Sequence, residues 1–122
     1  MERGRFEELV SEALEHLPPE FKEKLENIVV VVENWPTSAQ LTKTGVRHRR
    51  DLLGLYEGIP LPKRGRSYSM VLPDKITIFQ KPIEMHYRSE ERIIRKIQGT
   101  VRHEIAHYFG ISDRRLAELE SD

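Results

Sequence analysis

His103 and His107 stand four apart in the run His103-Glu104-Ile105-Ala106-His107-Tyr108-Phe109-Gly110-Ile111-Ser112-Asp113. Residues four apart on a helix lie one above the other, about 6 Å along the axis, so both imidazoles can reach one metal ion. A glutamate directly after the first histidine is placed to meet a metal-bound water. Gly110 is suited to end the helix, and Asp113, just past that turn, can swing back as a third ligand. Three protein ligands with one open position is the arrangement of a catalytic zinc site rather than a structural one. The chemistry expected is hydrolysis, with Zn²⁺ as cofactor, His103, His107 and Asp113 as metal ligands and Glu104 as general base.

These side chains must be carried by a long helix. Ser89 is placed as its N-cap, with Glu90 and Glu91 in the first turn, and the periodicity runs on to Phe109 with Gly110 as the left-handed terminator. At about 100° per residue, Ile93, Ile94, Ile97, Val101, Ile105 and Tyr108 form one apolar stripe. Arg92, Arg95 and Arg102 fall roughly opposite. His103 and His107 lie at one border of the stripe, beside Lys96 and Thr100, as suits the floor of a cleft. Glu104 falls within the stripe, where a carboxylate is costly unless a donor or a metal-bound water meets it.

Upstream, Phe6, Leu9, Val10, Ala13, Leu14 and Leu17 recur at helical spacing, predicting an amphipathic helix over residues 3–16. Pro18 and Pro19 break it, and Pro19 can open a short second helix. Residues 27–33 predict a β-branched strand apolar on both faces, of the kind found inside a covered sheet. Residues 36–41 predict a short helix closed by Thr44 and Gly45, and residues 52–57 a second strand. Residues 63–69 read as an exposed loop, and residues 76–80 as a third, half-covered or edge strand stopped by Pro82. That third strand is the expected rim of the cleft, along which a peptide would pair by its backbone.

The 122 residues suffice for one domain, expected over 1–122, and twenty basic side chains balance twenty acidic ones. The balance offers no footprint for nucleic acid or a membrane surface. The absence of cysteine excludes disulfides and thiolate zinc ligands. The charged N-terminal residues and the lack of a long apolar run lead to the expectation of a cytoplasmic protein. Arg47-His48-Arg49-Arg50, and Lys63, Arg64 and Arg66 with Tyr68, could contact phosphates and a base, but as solvated loops they need no partner. His16, His48 and His86 lack ligand-like spacing.

The pattern HExxHxxGxxD resembles the zinc signature of metzincin-like peptidases in which aspartate replaces the third histidine. Beyond the motif, Leu17-Pro18-Pro19-Glu20-Phe21, Val29 to Glu33, Leu53 to Gly58, Leu72 to Phe79 and Thr100 to Leu116 resemble the bacterial minimal zincin family. The resemblance implies an α+β, zincin-like fold: a small mixed sheet packed with helices and a long active-site helix near the C-terminus. It also implies a zinc metallopeptidase acting on a peptide or protein. One departure is that the nine residues after Asp113 contain no methionine to build the supporting turn of larger metzincins. Glu118 and Glu120 are rival third ligands, but they lie within thirteen residues of His107, which leaves little chain for the second helix that carries such a ligand in other zincins. Two further functional classes fit the same residues: a zinc-dependent nuclease or RNA-processing enzyme, and a zinc-holding binding or regulatory module with little turnover.

Overall fold

The computed structural model describes residues 1–23, 25, 28–58, 74–111, 114 and 115. The elements run α1 (Arg3–Glu15), α2 (Pro19–Lys22), β1 (Ile28–Glu33), α3 (Ser38–Thr44), a 3-10 turn (Arg49–Asp51), β2 (Gly54–Glu57), β3 (Asp74–Phe79), α4 (Gln80–His86) and α5 (Glu90–Tyr108). Local chemistry explains several of their limits. Pro19 opens α2. Thr37 and Gln40 form a reciprocal capping box on α3, and Gly45 closes it at a φ of 74°.

The three strands form a mixed sheet in the order β1-β3-β2. β1 runs parallel to β3, with Val30 opposite Ile76, and β2 runs antiparallel to it, with Leu55 opposite Thr77. Two strand expectations therefore exchange places. β3 is the central strand, bonded on both sides, and Ile76, Thr77, Ile78 and Phe79 are each 0% exposed. Among the described residues β1 is an edge strand, and its Val29 is 40% exposed. Thr77 explains the misreading of β3: its hydroxyl looks like a solvent-facing position, yet its β-branched stem packs as valine would. β3 consequently cannot serve as the rim of a cleft, because its backbone groups are already committed to two neighbours.

Pro82 does not simply stop the third strand. It occupies the third position of α4, where a backbone N–H has no intrahelical acceptor, so its missing donor costs no helical bond. The end of β1 is tied to this region by the Lys81 N–H, which donates to the Asn34 carbonyl at 3.1 Å. Arg3 adds to the tie, donating to Val32, Asn34 and buried Gln80.

One face of the sheet packs on α1 and α5. Phe6, Leu9, Val10 and Ala13 of α1 share a core with Ile76, Ile78, Ile93, Ile97, Val101 and Ile105. The other face holds a smaller cluster of Leu52, Leu55 and Phe79, against which Leu41 and Val46 pack. The exposed loop expected at residues 63–69, and most of the segment after Asp113, lie outside the described residues.

Candidate metal centre

α5 is built as its sequence implies. The Ser89 side chain accepts the Arg92 N–H at 3.2 Å, and Glu90 and Glu91 occupy the first turn, where the helix dipole favours negative charge. Ile93, Ile97, Val101, Ile105 and Tyr108 are buried against the sheet and α1. At the far end the Gly110 N–H donates to His107 and the Ile111 N–H to Ala106, both at 2.9 Å. With Gly110 at a φ of 77°, this is a Schellman termination, and it reverses the chain just after the second histidine. Asp113, the expected third ligand, lies outside the described residues, as do Glu118 and Glu120.

His103 and His107 are half-buried at the border of the core, their ring centroids 4.5 Å apart and inclined at 69°. Glu104 is 5% exposed. Ligand atoms of His103, Glu104 and His107 all lie within 4.8 Å of one another. Two imidazole nitrogens are donors that suit zinc, and they lie close enough for one small cation to bridge them, with the Glu104 carboxylate beside them. The residues present therefore fit the metal.

The buried carboxylate has the donor that its position demands. The backbone N–H of Tyr56, on β2, donates to Glu104 Oε1 at 2.9 Å. His107 Nδ1 lies 3.3 Å from the same oxygen. With the proton on Nδ1, that contact orients the ring and leaves Nε2 as the metal-facing nitrogen, a common relation between a ligating histidine and a carboxylate. Glu104 Oε2 makes no hydrogen bond among the described residues.

A model of the zincin-like metallopeptidase family matches residues 25–122, which include the sheet and the whole of α5. The chain belongs to this family. No curated protein matches it. For a zincin-like metallopeptidase, the mixed sheet and the long helix near the C-terminus are the expected frame, and α1 and α2 precede the matched segment.

This zincin-like protein opens a cleft of about 650 Å³ beside His103, lined by residues 51–54 on one wall and by Lys96, Gly99, Thr100, Arg102, His103 and Glu104 on the other. β2, an outer strand of the sheet among the described residues, is the strand that meets it. The close approach of β2 to α5 depends on Gly54. A Cβ there would lie 2.6 Å from Thr100 Cγ2 and 3.3 Å from Glu104 Cγ. Sequence reasoning assigned Gly54 no role, although a glycine between Leu53 and Leu55 inside a strand is a signal for close backbone approach. A second unassigned feature is buried Asp74, whose Oδ2 accepts the Tyr56 hydroxyl at 2.8 Å and so braces the residue whose amide holds Glu104.

Tyr108, on the same helix, is 0% exposed and packs edge-on against Tyr56 at 5.9 Å, so it is a core residue. Arg114 is exposed and helical. Of the basic run at 47–50, Arg49 stacks on Trp35 at 4.0 Å. His86 Nε2 lies 2.8 Å from the Arg50 carbonyl, fastening the 3-10 turn to α4. The basic residues 63, 64 and 66 lie outside the described residues. No helix among the described residues is long and apolar enough to cross a membrane.

Proposed function

We propose that this zincin-like protein is a zinc-dependent peptidase in which His103, His107 and Asp113 hold the metal and Glu104 is the general base. The observation that carries the reading is the setting of Glu104. It is a buried carboxylate beside two histidines, held at one oxygen by the Tyr56 amide, with its other oxygen unbonded among the described residues. Zinc, when bound, supplies a Lewis acid and lowers the pKa of its water towards about 7.

Glu104 Oε2 then takes a proton from the attacking water and returns it to the leaving amine, while Oε1 stays anchored to β2. The anchor fixes the carboxylate before substrate arrives, so little reorientation accompanies proton transfer. The substrate lies in the cleft between residues 51–54 and α5, with β2 rather than β3 as the neighbouring strand. The domain is read as one unit over residues 1–122, since α1 and α5 contribute to one core.

Glu104→Gln tests this directly, because it keeps the shape of the side chain but cannot accept the proton. The variant should retain one zinc per chain and lose a factor of ~10²–10⁴ in hydrolysis of any peptide that the parent cleaves. His103→Ala, His107→Ala and Asp113→Ala should each lose zinc under chelator challenge, measured by metal analysis. Loss of zinc from Glu104→Gln with retention in Asp113→Ala would make Glu104 a ligand and overturn the assignment.

A further inference from the structure

Seven residues before His103, and therefore about 10 Å along α5, Lys96 lines the same cleft. Arg102 lines it as well. The described arginines Arg3, Arg5 and Arg95 are engaged with carboxylate or amide partners. Arg102, like several other described arginines, makes no side-chain ion pair or hydrogen bond among the described residues. Lys96 lies over the face of the Tyr87 ring, 5.8 Å away.

Gly99 sits on the helix between these two cations. A glycine inside a helix is unfavourable relative to alanine, because its backbone loses more freedom on folding. Packing does not require it: the nearest atom to an added Cβ would be Arg102 Nη2, at 3.9 Å. The missing side chain instead keeps the cleft floor low, and the guanidinium folds back over that gap. The opposite wall contributes Asp51. With Glu104 also lining the cleft, the two cations meet two carboxylates, one of them buried and bonded to the Tyr56 amide, a balance that suits a single added negative charge better than a polyanion.

We infer that this end of the cleft is a carboxylate-binding subsite, with Lys96 and Arg102 as specificity-determining residues for acidic peptides. The inference rests on the peptidase reading for where the substrate lies. At about 3.3 Å per residue of an extended chain, Lys96 is reached about three residues from the bond beside His103. The carboxylate belongs either to an aspartate or glutamate side chain at that position or to the C-terminus of a short peptide. Arg102 offers paired donors that match a carboxylate, and Lys96 a compact charge.

The test reads binding rather than turnover. Fluorescein-labelled peptides carrying one glutamate, their glutamine counterparts, and each with a free or amidated C-terminus are titrated by anisotropy into zinc-loaded Glu104→Gln protein. The acidic peptides should bind roughly tenfold tighter than their neutral counterparts, with the advantage shrinking as salt is raised. Lys96→Met with Arg102→Met should abolish the advantage while leaving the neutral peptides unaffected. Should that double variant fold poorly by circular dichroism, Lys96→Gln with Arg102→Gln serves in its place, and the salt dependence is read on the parent.

Dependence on the glutamate identifies a side-chain carboxylate, whereas dependence on the free C-terminus identifies a terminal one. Equal binding of acidic and neutral peptides, or an advantage that survives loss of both cations, overturns the inference. So does tighter binding of a single-stranded oligonucleotide through the same two residues, which would mark a phosphate site. A parent that cleaves nothing, with the acidic preference intact, sinks the peptidase reading and leaves the subsite standing.

Discussion

Thr77 is fully buried on the central strand, and its Oγ1 has no hydrogen-bond partner among the described residues. An orphaned hydroxyl in a core carries a desolvation cost without a compensating bond. Thr77→Val removes the hydroxyl and keeps the shape, so it should raise stability by about 1 kcal/mol, read as a higher urea midpoint at unchanged slope. The buried carboxylate of Glu104 is the opposite case, because the Tyr56 amide satisfies it. At this scale the sequence revealed much. His103, Glu104 and His107 were legible from spacing, as was the demand that Glu104 find a donor. The donor itself was not, because a backbone amide forty-eight residues away leaves no mark in residue type.

Elements were legible wherever termini carry chemistry of their own. The capping box of α3, the glycine ends of α3 and α5 and the proline start of α2 all fall where local rules put them. Strand order was less legible, since a β-branched run specifies a strand but not its neighbours. β1 and β3 exchanged the roles expected of them, and α4 lay behind a proline read only as a stop. The contact between β2 and α5 is where an element-level change should be felt most. Gly54→Ala puts a methyl 2.6 Å from Thr100 Cγ2. It should therefore cost about 1–3 kcal/mol, as overpacking does. Thr100→Ser removes that Cγ2, so the double variant should recover most of the loss, which a double-mutant cycle by thermal unfolding would measure.

At the scale of the molecule, the family match begins at residue 25, whereas the hydrophobic core begins at Phe6. Phe6 is 0% exposed and packs in the cluster that backs α5. If residues 1–122 are one cooperative unit, Phe6→Ala should cost about 3–5 kcal/mol. It should also shift the unfolding of the sheet and α5 together, followed by circular dichroism and by tyrosine fluorescence. Separate transitions would mean that α1 is an accessory to the domain and not part of it.

The bond from Tyr56 to Glu104 also makes a clock of an ordinary amide. An edge-strand N–H directed away from its sheet would normally trade its hydrogen for deuterium quickly. Here the Glu104 carboxylate shields it, so its exchange rate reports how firmly that carboxylate is seated. Removal of a hydrogen bond to a charged group, worth ~1.5–3 kcal/mol, corresponds to exchange faster by about 10- to 100-fold. Glu104→Ala should show that acceleration at Tyr56, whereas Glu104→Gln, which keeps a carbonyl acceptor, should show far less. A ligand that leaves the anchor in place should leave the same amide protected, so the seating of Glu104 can be followed from the backbone of β2.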